Sequence, residues 1–205
     1  MMTKQRGQLI VFSGPSGVGK GTILAQYMAG RENICYSVSA TTRSPRPGEV
    51  DGQQYFFLTK ERFEEMIAAG QMLEYAQYSG NYYGTPKQFV EDKLAAGVDV
   101  VLEIEVQGAA KVRQACPEAL FIFVLPPSFE VLRSRLTGRG TEDAATVQKR
   151  LDAAFGEMRQ AGSYDYVIVN DDLGRAVEDL SAVVQAARCS VKFQKNLIEE
   201  VLEHA

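Results

Sequence analysis

The chain has 205 residues, 45% hydrophobic and 23% charged, a balance that suits one folded domain or one core with an inserted subdomain. Its 22 Lys and Arg against 26 Asp and Glu give a net charge of −4, which argues against a general binder of nucleic acid or membrane surfaces. With one histidine, His204, there is no place for His-based triads, His proton shuttles or His-rich metal sites. Cys35, Cys116 and Cys189 are odd in number and widely spaced, which points to a reducing, cytoplasmic compartment. The polar start, Met1 to Arg6, and the short apolar run Leu9–Phe12 fit neither a signal peptide nor a span of ~20 apolar residues.

Short apolar runs alternate with helical stretches along the chain. Leu9-Ile10-Val11-Phe12 predicts a buried strand, followed by a glycine-rich turn and a helix to about Gly30. From Ser39 to about Thr85 the chain turns rich in Gly, Pro and Tyr, with short alternating runs such as Gln54-Tyr55-Phe56-Phe57. That predicts a small, mostly antiparallel insertion with one helix near Lys60–Ala69. Val98–Leu102, Phe121–Leu125 and Tyr166–Val169 are nearly continuous apolar runs, as strands covered on both faces are. With helices between them, the expectation is an α/β fold with a parallel sheet. Pro126-Pro127 opens a charged helical stretch from about Ser128 to Gly162, in which Val147, Leu151, Ala154 and Met158 recur at helical spacing and Gly138-Arg139-Gly140 makes a hinge. The tail from Leu173 reads as one or two helices ending in Leu197, Ile198, Val201 and Leu202.

The strongest local signal is Gly14-Pro15-Ser16-Gly17-Val18-Gly19-Lys20-Gly21-Thr22, directly after the first strand and opening a helix. This is the setting of a P-loop. A turn wrapped around a phosphate must aim backbone N–H groups inward, and glycine permits the close approach. The helix start adds partial positive charge, and Lys20 a full one. A Ser or Thr normally follows the lysine and touches Mg²⁺, whereas here Gly21 stands there with Thr22 one place later. The side chain of residue 21 therefore cannot bind the metal, and the contact passes to Thr22 or to water.

Further on, Ser39-Ala40-Thr41-Thr42-Arg43-Ser44-Pro45-Arg46 sets two arginines on a proline-stiffened loop, with Tyr55 close behind. The planar arginine fork suits a phosphate dianion, although loop arginines are as readily just solvated. Thr85, Pro86 and Gln88 match a capping box with proline at the first helical position, so Thr85 reads equally as an N-cap. Tyr82 and Tyr83 read equally as aromatics packed on a strand.

Across about Gly7–Gln194 the chain closely resembles the guanylate kinases, in their bacterial form. The carriers are GPSGVGKGT, SATTRSPRPGEVDGQQYFF, LEYAQYSGNYYGTP, DVVLEIEVQGA, FIFVLPPS, RLTGRG and YDYVIVNDDL, in the family's order. The resemblance implies a P-loop core (1–38, 86–126, 163–205), a GMP-binding insertion (39–85) and a lid (127–162). It implies transfer of the γ-phosphoryl group of ATP, with Mg²⁺, to GMP or dGMP, giving ADP and GDP. By similarity, Arg43, Arg46, Tyr55 and Tyr83 grip the GMP phosphate, and Ser39, Glu74 and Thr85 recognise guanine. Guanine offers donors at N1 and N2 and acceptors at O6 and N7, so one carboxylate can take both donors while hydroxyls serve the acceptors. Glu103 and Glu105 lie just past a buried strand, where alternation points both to one face. The family often has Asp there. Glu105 is then expected at the guanine edge and Glu103 near the GMP-side arginines or a metal-bound water, against the plainer reading of two solvated acids. Arg135, Arg139 and Arg150 resemble the family's transfer-step arginines, and Asn170 falls in the region that approaches adenine.

Two rivals share the P-loop: a kinase for another nucleoside monophosphate, and a non-catalytic guanylate-kinase-like interaction module. The second tends to have lost the P-loop residues that this chain keeps. A P-loop GTPase lacks support, since no Asn-Lys-x-Asp motif is found. The expected partners are ATP and GMP, with neither nucleic acid nor membrane, and a homo-oligomer stays open.

Overall fold

A computed structural model describes residues 5–137 and 144–203. In chain order its elements are β1 (Leu9–Ser13), α1 (Lys20–Met28), β2 (Ile34–Tyr36), β3 (Ser39–Thr41), β4 (Tyr55–Phe57), α2 (Lys60–Ala68), β5 (Met72–Tyr78), β6 (Asn81–Pro86) and α3 (Lys87–Ala95). Then come β7 (Asp99–Glu103), α4 (Val106–Ala115), β8 (Leu120–Leu125), α5 (Phe129–Thr137), α6 (Ala144–Met158), β9 (Tyr166–Val169), α7 (Leu173–Arg188) and α8 (Val191–Glu203). The chain divides into two compact units. One takes the described residues up to Leu9, Glu32–Leu102 and Gln107–Ala119; the other takes Ile10–Arg31, Glu103–Val106 and the described residues from Leu120 onward.

In the second unit β1 pairs with β8, and β8 with β9, all parallel. Every residue of β1 is buried, as are the first five of β8, which is why both read as unbroken apolar runs. Helix α7 starts at Asp172, whose carboxylate accepts the Arg175 N–H at 2.9 Å. It buries Ala176, Leu180, Val184 and Ala187 on one face and packs against α1. Helices α5 and α6 enclose their own apolar cluster of Leu132, Leu136, Val147, Leu151 and Ala154. The spacing read for this stretch is thus the packing face of α6.

In the first unit β2 pairs with β7 in parallel. A second sheet runs in the order β4-β3-β6-β5, with β3–β6 and β5–β6 antiparallel and β3–β4 parallel. The expected helix appears as α2, with the Thr59 side chain accepting from the Arg62 N–H at 3.2 Å. Its Phe63 is fully buried and stacks on Tyr82 of β6, ring centroids 5.2 Å apart. The predicted parallel α/β frame and the mostly antiparallel insertion are both present. The short strand β2 was not expected, because Ile34-Cys35-Tyr36 offers only three residues of pattern.

One local expectation is corrected. Thr85 does not cap α3. The N-cap position is Pro86, with no side-chain cap, and Thr85 is the fully buried next-to-last residue of β6. Pairing with Met72 carries β6 through Pro86, so the helix begins one residue later than a Thr85 cap would require.

Candidate active site

The phosphate cradle lies where β1 ends and α1 begins. Lys20 Nζ folds back onto the loop, donating to the carbonyls of Gly14 at 2.6 Å and Pro15 at 3.2 Å. Gly19 adopts φ 97°, and a Cβ there would stand 2.5 Å from the Asn170 amide nitrogen, so only glycine fits this corner. Asn170 itself is buried and its amide donates to the Val18 carbonyl at 2.7 Å. It follows β9, which pairs with β8 and lies two strands from β1, so the end of that strand buttresses the loop.

Two of the three expected lid arginines meet the same loop. Arg135 of α5 donates to the carbonyls of Val18 (3.3 Å) and Asn170 (3.0 Å). Arg150 of α6 donates to the Ser16 hydroxyl at 2.7 Å. Arg139 and the expected Gly138-Arg139-Gly140 hinge lie outside the described residues. Burial holds Lys20 below its ordinary pKa, while Glu103, Glu157 and Glu105 pull it back up. Glu103 is pushed up by burial against the opposing charge of Lys20. Both strand-end glutamates therefore act on the P-loop lysine.

Glu157 was missed in the sequence. It sits two helical turns beyond Arg150 on α6, on the same face, and that spacing is the signal that could have found it. Burial and Glu105 raise its pKa, offset by Lys20 and the Ser16 N–H.

The oxygen donors here suit a hard cation. A Cβ on Gly21 would lie 3.8 and 3.9 Å from the two Glu103 carboxylate oxygens, so the missing side chain leaves the space beside that carboxylate open. Among the described residues no group of three or more His, Cys, Asp or Glu is placed to hold a metal by itself. The space beside the Glu103 carboxylate fits a Mg²⁺ bound chiefly by phosphate and water oxygens.

The insertion brings a different set together. Arg43 donates to Glu49 at 2.8 Å and to the Ser44 carbonyl at 2.7 Å, and its guanidinium lies 5.5 Å from the Tyr55 ring centre. Tyr55 meets Tyr83 edge-on at 6.2 Å, and the Tyr83 hydroxyl also acts on Arg43. Arg46 is exposed, and its backbone N–H donates to Glu49 at 2.7 Å. Those bonds, Arg43's first, pull Glu49 below the usual carboxylate range. Glu49 was not expected, though its place three residues after Arg46 in a glycine-containing turn offers the hint.

Glu74 stands opposite Thr85 on the β5–β6 pair and accepts its hydroxyl at 2.8 Å. A register shift between Met72 and Glu74 creates that alignment. Burial raises the Glu74 pKa, offset by the Thr85 hydrogen bond and by Lys111 of α4. Lys111 donates to the Tyr75 carbonyl and lies 5.0 Å from the Tyr75 ring centre. No sequence pattern links Lys111 to residues 36 positions away. Ser39 is half-buried at the start of β3.

A glycine cradle between strand and helix, its lysine turned onto the loop, on a parallel α/β frame, defines a P-loop nucleotide-binding protein. Residues 6–187 match the family model described as guanylate kinase, and the chain belongs to that family. A curated guanylate kinase of Halalkalibacterium halodurans is 51% identical over 97% of this chain and 96% of its own length. One from Lactococcus lactis is 54% identical over 89% of each chain. A crystal structure of guanylate kinase from Anaplasma phagocytophilum, 35% identical, superposes with a TM-score of 0.70 over 97% of this chain and 96% of that one.

Proposed function

We propose that the chain transfers the γ-phosphoryl group of ATP to GMP, giving ADP and GDP. The observation that carries this reading is the intact phosphate cradle, Lys20 included, in a chain about half identical to curated guanylate kinases across nearly its full length. A non-catalytic module has no need to keep that lysine.

The acceptor is a phosphate oxygen that is already anionic, so the reaction needs no general base, and a site without histidine suits it. Rate then comes from alignment and from cations around the moving charge. Lys20, Arg135, Arg139 and Arg150 take that part; the loop contacts of Lys20, Arg135 and Arg150 support it. The loop Gly14–Thr22 cradles the ATP phosphates, and Asn170 closes its adenine side. Thr22 and Glu103 would hold Mg²⁺, directly or through water, and the ion would supply positive charge to the phosphates.

On the acceptor side Arg43, Arg46, Tyr55 and Tyr83 take the GMP phosphate, which displaces Glu49 from Arg43. Ser39, Glu74 and Thr85 read guanine. The Thr85 hydroxyl supports this role, because it fixes one Glu74 oxygen and orients the carboxylate. Adenine would set its N1 lone pair against that carboxylate.

The division into a core (1–38, 86–126, 163–205), a GMP-binding insertion (39–85) and a lid (127–162) follows. The separate β4-β3-β6-β5 sheet and the self-contained α5–α6 cluster support it. Among the described residues no helix is long and apolar enough to cross a membrane. The free Cys35, Cys116 and Cys189, with ATP as donor, support a cytoplasmic setting. Initial rates with GMP, dGMP, AMP, UMP, CMP and dTMP, with ATP and Mg²⁺, test the reading. Turnover confined to GMP and dGMP is expected, and a preference for AMP or a pyrimidine would overturn it.

A further inference from the structure

Lys111 of α4 is bound to the strand that carries Glu74. In the order β4-β3-β6-β5 that strand is the last, so one side of its backbone has no strand to pair with. The Lys111 ammonium donates to the Tyr75 carbonyl and lies 5.0 Å from the Tyr75 ring centre, within cation–π range. A lysine head is otherwise a mobile, solvated charge. Two contacts with Tyr75 fix this one a single residue along the chain from Glu74.

Glu74 meets different chemistry on each side. From β6 it meets the Thr85 hydroxyl, a neutral donor at 2.8 Å. Neither β5 nor β6 carries a charged residue besides Glu74; their other titratable side chains are Tyr75, Tyr78, Tyr82 and Tyr83. From α4 it meets Lys111, and among the described residues no other charge acts on the carboxylate. Arg113, the second charge of α4, is two residues on and so faces away from Lys111. Lys111 acts through space, since the hydrogen bond of Glu74 is with Thr85 and that of Lys111 with Tyr75. That separation suits recognition. A contact ion pair would occupy oxygen positions that guanine N1–H and N2–H need, whereas a nearby charge favours the anion and leaves them open. Burial alone favours the protonated carboxyl, which gives up acceptor capacity to its own proton.

We propose that Lys111 is a positioning residue for base selection: held by the Tyr75 carbonyl and ring, its charge keeps Glu74 an anion able to accept both guanine donors. This role rests on the reading of Glu74 as the guanine acceptor. Lys111 acts through Glu74 and has no part in the phosphoryl transfer itself. Without the ammonium, Glu74 takes up its proton at a higher pH, so GMP use is lost earlier as pH falls.

Lys111→Met removes the charge and keeps most of the side chain's length. From about pH 8 down to about pH 5 this variant should lose at least about threefold more kcat/KM for GMP than the unaltered protein loses. With GMP saturating, its ATP KM should stay within about twofold. Lys111→Arg should restore the pH profile. In the ligand-free protein, carbon-13 NMR of the Glu74 carboxyl, identified by its loss in Glu74→Gln, should show titration displaced to higher pH in Lys111→Met. A loss of GMP use equal at every pH, an unmoved carboxyl titration, or no recovery with arginine would overturn the proposal and leave Glu74 its role. The Glu74→Gln background separates the two readings. There Lys111→Met should do nothing further to the pH profile, and an undiminished effect would also overturn the proposal. Full GMP use by Glu74→Gln alone would instead remove the guanine reading, and the role of Lys111 with it.

Discussion

Thr85 and Glu74 are locked together across the β5–β6 pair, the Thr85 hydroxyl donating to the Glu74 carboxylate at 2.8 Å. One carboxylate oxygen is thereby occupied and the side chain is held in one orientation. Its burial gives polar recognition there more weight than on an open surface.

Glu74→Gln should therefore harm GMP use selectively. Removing the charged acceptor from guanine N1 and N2 is expected to raise the GMP KM by roughly 10- to 100-fold, the scale of a hydrogen bond to a charged group. The ATP KM should stay within about twofold. Steady-state kinetics with each substrate varied in turn reads this, and equal damage to both would remove Glu74 from guanine recognition.

The same substitution has a stability consequence of opposite sign. Burial raises the Glu74 pKa, so the folded protein binds more protons than the unfolded chain between the ordinary glutamate value and the raised one. Across that window stability falls as pH rises. At neutral pH the ligand-free Glu74→Gln protein is expected to melt higher than the unaltered protein, and the gap should close as pH drops toward the ordinary glutamate value. Thermal melts at several pH values check it; a gap that widens toward low pH would reverse the assigned cause.

Lys20→Ala should leave a folded protein with its phosphotransfer rate lowered by ~10²- to 10³-fold or more, the scale of losing a preorganised charge at the transition state. Circular dichroism with initial-rate measurement separates folding from chemistry. Near-normal turnover by the folded variant would refute the P-loop assignment.

Gly84→Ala tests the insertion's backbone. A Cβ there would stand 2.7 Å from the Glu74 carbonyl oxygen and 2.9 Å from the Tyr75 Cβ, so β5 and β6 must spread. Overpacking of this kind costs ~1–3 kcal/mol, and it should lower the melting temperature and raise the GMP KM together. An ATP KM that rose as well, or an unchanged GMP KM, would contradict the local role of the pair.

The amino-acid sequence by itself determined the elements whose signal is local. Leu9–Phe12, Phe121–Leu125 and Tyr166–Val169 are strands because continuous apolar character leaves few other ways to bury them. The phosphate cradle was legible because its glycines and lysine are neighbours in the chain. The tertiary structure decided what depends on residues far apart. Thr85 satisfied a helix-cap pattern, yet a longer strand β6 and a register shift in β5 turned its hydroxyl to Glu74 instead. Lys111, Glu157 and the Asn170 buttress of Gly19 became part of the two sites only when packing brought their elements there. Propensity and spacing act over a few residues, whereas burial, charge coupling and close backbone approach arise only after the chain has folded.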